Sequence, residues 1–178
     1  MGLFSKKEKF SDFNLIVTID DVEFNIPDEE SIQKHYVNYL GGFLPKGGYK
    51  ITSTIEEDGA FFQKWEYSWE DNSARPGYGR DKKHTIEIYV FKDKTIEHVA
   101  SEFEAQEKKW KIKSGVSYGN YSGYLIQKKG LVKSTPYWFL FVKDGKTVAV
   151  HDNGEKLEHG EKPLFKDYFK INIEKIIK

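Results

Sequence analysis

The stretch Tyr137-Trp138-Phe139-Leu140-Phe141-Val142 is a run of six large apolar residues. Because successive side chains of a strand point to opposite faces, such a run is apolar on both of its faces. An antiparallel strand has two apolar faces only where its sheet is covered on both sides. The run therefore predicts a central strand, and covering its side chains contributes on the order of 10 kcal/mol before entropy is subtracted.

Strand and helix patterns extend in both directions from this run. Alternating apolar residues predict hairpins around Asp20-Asp21 and Asp144-Gly145, and apolar residues at helical spacing predict three helices. The predicted strands are 13–19, 22–26, 49–55, 61–69, 85–91, 110–116, 123–127, 137–142 and 147–151, and the predicted helices are 28–40, 95–110 and 164–177. Helices over both faces of such strands predict an α+β fold, a three-layer α/β/α sandwich with a central, mainly antiparallel sheet.

The composition is that of one folded domain. The chain has 178 residues, of which 38% are hydrophobic and 16% aromatic, unlike a disordered chain. We expect a flexible N-terminal arm over residues 1–12 and a single α+β domain over residues 13–178. The 28 basic and 28 acidic residues cancel, so no global field attracts phosphate backbones or anionic lipid, and any nucleic-acid surface has to be a local patch. No apolar run is long enough to span a membrane, and we expect a cytoplasmic protein.

Several features in the second half of the chain follow a familiar order. They are the Gly123-Tyr124 strand, the aromatic strand 137–142, the turn Asp144-Gly145-Lys146 and the strand 147–151. With the preceding hairpin, helix and strands, this order resembles the Mog1/PsbP-like fold from Phe13 to the end. Proteins of that fold are mostly non-catalytic, among them accessory proteins of photosystem II and a partner of a small GTPase. The resemblance therefore implies a binding or accessory domain, and it carries over no functional residue.

A polar stretch between Glu70 and Lys83 is longer than most hairpin loops and predicts an exposed connection. Arg75 and Arg80 are the only arginines of the chain, and they flank Pro76-Gly77-Tyr78-Gly79. A guanidinium group suits carboxylate or phosphate, and glycine lets the backbone approach a ligand. We interpret Arg75, Tyr78 and Arg80 as a candidate contact for an anion or a partner; a flexible, merely solvated connector is the alternative.

A second segment combines imidazole and carboxylate groups. His151, Asp152 and His159 lie close in sequence, and the carboxylates nearby are Glu155, Glu158 and Glu161. Such groups bind divalent metals or transfer protons, so a small metal-dependent hydrolase is one hypothesis. The spacing matches no metal motif, and Asp152-Asn153-Gly154 is typical of a tight turn, so a solvated hairpin without metal is the favoured interpretation.

Trp65, Tyr67 and Trp69 alternate along one predicted strand and so share a face. Exposed, they would form a stacking platform for single-stranded nucleic acid or sugars. Buried, they belong to the core, which is the usual place of such large aromatic groups and the favoured interpretation.

Taken as a whole, the sequence predicts a non-catalytic binding or accessory domain without a cofactor. Its partner is an unidentified protein or small molecule, nucleic acid is not the expected ligand, and the oligomeric state is not indicated. The metal-dependent hydrolase and the single-stranded nucleic-acid binding protein are the alternatives. The cysteine content of zero excludes disulfides and thiolate chemistry.

Overall fold

The computed structural model describes residues 13–28, 50–57, 59–71, 80–153 and 165–178. The predicted arm, residues 1–12, lies outside them, as does the predicted first helix from residue 29 onward.

The described residues form an α+β fold with nine strands and two helices. These are β1 (Leu15–Ile19), β2 (Val22–Ile26), β3 (Lys50–Glu57), β4 (Ala60–Asp71), β5 (Arg80–Phe91), α1 (Ile96–Glu104), β6 (Trp110–Tyr118), β7 (Tyr121–Lys128), β8 (Thr135–Lys143), β9 (Lys146–Asp152) and α2 (Phe165–Ile176). Strands β1 and β2 form a separate hairpin. The other seven form one antiparallel sheet in the order β3-β4-β5-β9-β8-β7-β6.

The two predicted tight turns are confirmed, and both use left-handed backbone. Asp20 and Asp21 have φ values of 47° and 64°, and Asp144 and Gly145 have values of 51° and 76°. Positive φ at both central residues matches the right-handed twist of the flanking strands, and Asp and Gly tolerate it best. Local turn chemistry therefore sets the register of the β1–β2 and β8–β9 pairs.

One face of the sheet packs against the β1–β2 hairpin and α2. The core on this side combines side chains from β5, β8 and β9 with side chains from the hairpin and the helix. Those with no exposed surface include Ile86, Ile88, Phe139, Phe141, Val150, Phe24, Ile26, Phe169 and Ile173. The sheet does not hydrogen-bond to the hairpin as a further strand, so side chains alone join the two.

The opposite face of the sheet packs against α1. Val99 and Ala100 of this helix join a second core cluster with residues of β6, β7, β8 and β9, namely Trp110, Ile126, Trp138, Leu140 and Ala149. The helix begins as predicted, since the Thr95 side chain accepts a hydrogen bond from the His98 amide at 3.2 Å.

Strand β8 lies between β9 and β7 and is packed on both faces, which confirms the interpretation of residues 137–142 as a central strand. Phe139 and Phe141 belong to the hairpin side, and Trp138 and Leu140 belong to the α1 side. Val142 is the exception, with 43% of its surface exposed. It is the last apolar residue of β8 before the turn at Asp144-Gly145.

The glycine of the predicted Gly123-Tyr124 strand has a steric role. Gly123 pairs with Phe141, and a Cβ atom at this position would lie 2.0 Å from the carbonyl oxygen of Leu140. A contact of that length with backbone is impossible, so only glycine lets β7 approach β8 here.

Two predicted boundaries are wrong. Arg80, placed in a loop from its polar neighbours, is the first residue of β5, where it pairs with Asp71 of β4. A hairpin ladder continues through polar residues because its backbone bonds do not depend on burial. Trp110, assigned to the helical stripe as well as to a strand, begins β6, since α1 ends at Glu104. Neither described helix is long and apolar enough to cross a membrane.

Replacement of Phe139 by Ala should lower the free energy of unfolding by about 3–5 kcal/mol, because the ring has no exposed surface and leaves a cavity between β8, the hairpin and α2. Urea unfolding followed by fluorescence measures the loss. Val142→Ala on the same strand is the matched control and should cost less than about 1 kcal/mol, since its side chain is 43% exposed. A loss below about 1 kcal/mol for Phe139→Ala would contradict central burial.

Candidate functional site

Three polar side chains meet in the core between the sheet and α2. Asp152 at the end of β9 has no exposed surface, and its Oδ2 atom lies 2.6 Å from Nε2 of His84 in β5. Its Oδ1 atom accepts a hydrogen bond of 3.0 Å from Nδ2 of Asn172 in α2. His84 and Asn172 are likewise fully buried. We call these three residues the polar cluster.

Strand pairing brings the polar cluster together. Asp152 pairs with Ile86 of β5, and His84, two residues before Ile86, lies on the same face of the sheet. The residue after β9 adds a further link, because the Asn153 amide donates to the Thr85 carbonyl at 3.0 Å. The 2.6 Å separation of Nε2 and Oδ2 is that of a short hydrogen bond between the imidazole and the carboxyl group. The cluster thus ties β5, β9 and α2 to one another within an apolar core.

His151 points to the other face of β9, beside Tyr137 of β8. The two rings are stacked with centroids 4.1 Å apart and planes inclined by 16°. Its Nδ1 atom lies 2.5 Å from the Tyr137 carbonyl oxygen, which only accepts, so Nδ1 donates. Burial lowers the pKa of His151 from its ordinary value of 6.5, and the Tyr137 carbonyl and the Glu87 carboxylate, which favour the charged form, do not outweigh it.

The structure does not bring the proposed metal ligands together. His151 lies on the α1 face of β9 and Asp152 on the α2 face, so the two side chains point apart across the sheet. His159 lies outside the described residues, as do Glu155, Glu158 and Glu161. Within the described ranges, no three histidine or acidic side chains are grouped so that they could hold a metal ion.

The loop interpreted as a contact is only partly described. Arg75 and Tyr78 lie outside the described residues, whereas Arg80 stands at the start of β5 opposite Asp71. The β4–β5 ladder covers all 12 residues of each strand, but β9 pairs with β5 only from Ile86 onward. The hairpin therefore runs past its neighbour β9 as far as the pair Asp71 and Arg80.

Of the three alternating aromatic residues, Trp65 is buried in the core on the hairpin side, with 6% of its surface exposed. It is not available for stacking on a base or sugar. The positions of the Tyr67 and Trp69 side chains lie outside the description.

A cleft of about 490 Å³ separates the β1–β2 hairpin from the β8–β9 turn, and Lys143 lies at its base. Lys143 is 8% exposed, and its Nζ atom donates to the carbonyls of Glu23 and Ile177 at 2.6 and 3.1 Å. Burial lowers the pKa of Lys143 from 10.5. Two carbonyl partners from separate elements indicate that this lysine fixes the hairpin and the end of α2 over the sheet.

Sequence reasoning missed the polar cluster and the role of Lys143. His84 and Asp152 are 68 residues apart, and Lys143 and Glu23 are 120 apart, so no local spacing joins them. A buried lysine carries no distinct sequence pattern either. One local signal bears on the metal hypothesis: His151 and Asp152 are adjacent at the end of a strand, and alternation places adjacent side chains on opposite faces.

No family model matches the chain, and no curated protein or solved structure matches it.

Replacement of Asp152 by Ala should cost about 3–5 kcal/mol of unfolding free energy, because it leaves His84 and Asn172 buried without the carboxylate they contact. Chemical denaturation measures the loss. The matched control is Glu102→Ala, which breaks the exposed pair with Lys94 and should cost about 0.2–1 kcal/mol. Equal losses for the two variants would show that the polar cluster does not hold β9 to α2.

His151 should make the protein less stable in acid. Its pKa is lowered in the folded state, so below pH 6.5 the unfolded chain takes up the proton first and stability falls with pH. His151→Asn retains a donor for the Tyr137 carbonyl but does not titrate. The stability of the wild type relative to this variant should decline below pH 6.5, by at most about 1.4 kcal/mol per pH unit. Parallel pH profiles for the two proteins would contradict the shift.

Proposed function

We propose that this protein is a non-catalytic binding or accessory domain. The observation that carries the proposal is the role of the imidazole and carboxylate groups of the polar cluster and of His151. His84 and Asp152 hold one another and Asn172 in a fully buried position, and His151 is stacked against Tyr137. Each of these groups stabilises packing between elements, whereas acid–base catalysis needs such groups within reach of a substrate.

The β4–β5 hairpin supports a binding role, because its ladder runs past β9 to the pair Asp71 and Arg80. The backbone pairing of this ladder fixes its last described residues, Asp71 and Arg80, relative to each other. Preorganised presentation lowers the entropy lost when a partner binds. We therefore assign Arg75, Tyr78 and Arg80 to the contact, with a carboxylate-bearing protein or small anion as the ligand chemistry that two guanidinium groups suit.

The Mog1/PsbP-like three-layer sandwich is the finer fold assignment that belongs to this proposal. Its support is the packing of the hairpin and α2 on one face of the sheet and of α1 on the other. The described chain is compatible with that assignment through its antiparallel sheet and its central strand β8.

Reversal of the charge of both arginines, in Arg75→Glu with Arg80→Glu, should weaken binding because both substitutions place carboxylates where the ligand needs donors. The immobilised wild type and variant are each exposed to an extract of the source cells, and the retained proteins are quantified by mass spectrometry. Partners of the loop should be depleted by about tenfold or more on the variant.

The control is Lys92→Glu with Lys170→Glu, which changes the net charge equally at exposed positions. Lys92 follows β5 at the end of the hairpin opposite to Arg80, and Lys170 lies in α2. This control should retain the same proteins as the wild type. If the arginine variant also retains them in equal amounts, the assignment of the loop as a contact is wrong.

A further inference from the structure

Two adjacent apolar side chains project into solvent from the loop between β7 and β8. Relative to a fully exposed residue of the same type, Leu131 is 107% exposed and Val132 is 89% exposed. The other exposed large apolar residues of the described chain have values between 43% and 61%. A relative exposure near 100% means that the folded protein covers almost none of the side chain. Leu131 and Val132 therefore form a convex apolar tip.

The backbone holds this tip in a defined turn. The amide of Gly130 donates to the carbonyl of Lys133 at 3.2 Å, and a Cβ atom at position 130 would lie 2.8 Å from that oxygen. The amide of Lys129 donates to the Lys109 carbonyl at 3.0 Å. The loop is thus closed at its base and fixed to the start of β6, so the tip is presented rather than collapsed onto the sheet.

Positive charge surrounds the tip. Two segments near the tip are rich in lysine: residues 107–111, around the start of β6, and residues 127–134, at the end of β7 and in the loop after it. Together they carry six lysines and one glutamate, although the whole chain has a formal charge of zero. The two segments are neighbours in the sheet, because Trp110 pairs with Lys128. The lysines are all exposed, and they are Lys108, Lys109, Lys111, Lys128, Lys129 and Lys133. The glutamate, Glu107, uses its backbone carbonyl to accept a hydrogen bond from Lys129.

We propose that this tip docks the protein on an anionic membrane surface, with Leu131 and Val132 inserted at the boundary of headgroups and acyl chains. Covering two aliphatic side chains is favourable, and lysines near a surface rich in anionic lipid add to the attraction. Stable peripheral binding requires both apolar insertion and electrostatic attraction, since neither alone anchors a protein to a membrane.

The chemistry of the tip favours a lipid layer over the other partners of basic surfaces. Nucleic-acid bases stack on aromatic rings, and the exposed groups at the tip are aliphatic. A protein partner would need a concave apolar pocket for a convex tip, whereas a lipid layer deforms around it. The proposal goes beyond the binding function assigned to the β4–β5 hairpin and rests on different residues.

Sedimentation with lipid vesicles tests the proposal. Vesicles of phosphatidylcholine with about 30 mol% phosphatidylserine should retain the wild type at about 0.1 M salt, and vesicles of phosphatidylcholine alone should retain much less. Leu131→Ser with Val132→Ser should lower the partition coefficient by about tenfold or more. Lys128→Gln with Lys133→Gln should lower it by a similar factor, and high salt should do the same.

Matched controls separate the tip from general surface effects. Ile16→Ser removes another exposed apolar side chain, 61% exposed, from the β1–β2 hairpin. Lys92→Gln with Lys170→Gln removes the same charge elsewhere, and Lys92, like Lys128, lies over an aromatic ring. Both controls should bind vesicles as the wild type does. Thermal unfolding of all variants should be unchanged, since every altered side chain is exposed.

A fluorescent probe reports insertion directly, because the chain contains no cysteine. An environment-sensitive dye on Leu131→Cys should shift to shorter wavelength with the phosphatidylserine vesicles, and the same dye on Ile16→Cys should not. The proposal is overturned if the wild type stays in the supernatant, if the Leu131 and Val132 variant binds undiminished, or if the dye at position 131 does not shift. Tighter binding to a single-stranded oligonucleotide, dependent on the lysines alone, would also overturn it in favour of nucleic acid.

Discussion

The rest of the structure depends on one constraint, which is that apolar groups must cover both faces of strand β8. Phe139 and Phe141 require an apolar layer on one side of the sheet, and Trp138 and Leu140 require one on the other. A strand with both requirements has to lie inside the sheet and between layers. The layer over Phe139 and Phe141 comes from the β1–β2 hairpin and α2, which lie at opposite ends of the described sequence. Because neither belongs to the main sheet, side chains must hold each of them in place.

Two lysines around the β8–β9 turn supply part of that restraint. Lys143 donates to carbonyls of β2 and of the residue after α2, and Lys146 contacts Asp20 in the hairpin turn, with its Nζ atom 3.1 Å from Oδ2. Burial of an ammonium group costs free energy unless other groups replace its water. Here the carbonyls and the rings of Phe24 and Tyr121, at 5.2 and 5.8 Å from the Lys143 Nζ atom, do so. In the observed placement the hairpin contributes the Glu23 carbonyl and the Phe24 ring to this ammonium group, so the lysine favours that placement.

Features with local causes could be predicted from the sequence, and features that join distant segments could not. The turns at Asp20-Asp21 and Asp144-Gly145 and the central strand follow from neighbouring residues, and each was predicted. The strand order that places β9 beside β5 has no local signal, so the contact of His84 with Asp152 was not predicted. The metal hypothesis for His151 and Asp152 follows from their residue types and does not consider the face of the strand to which each side chain points. Strand alternation, already part of the strand prediction, separates these two side chains.

The distribution of polar and apolar groups is reversed at two places near the same end of the sheet. Asp152 is buried there with His84, and Leu131 is exposed beyond the end of β7. A buried, hydrogen-bonded carboxylate restricts how β9 and α2 fit together, so its position has a cause within the fold. Leu131 has no such cause, because a side chain as exposed in the folded protein as in the reference state contributes nothing through burial to folding. Burial of its apolar surface requires a contact outside the chain, and the surrounding lysines favour a contact that carries negative charge.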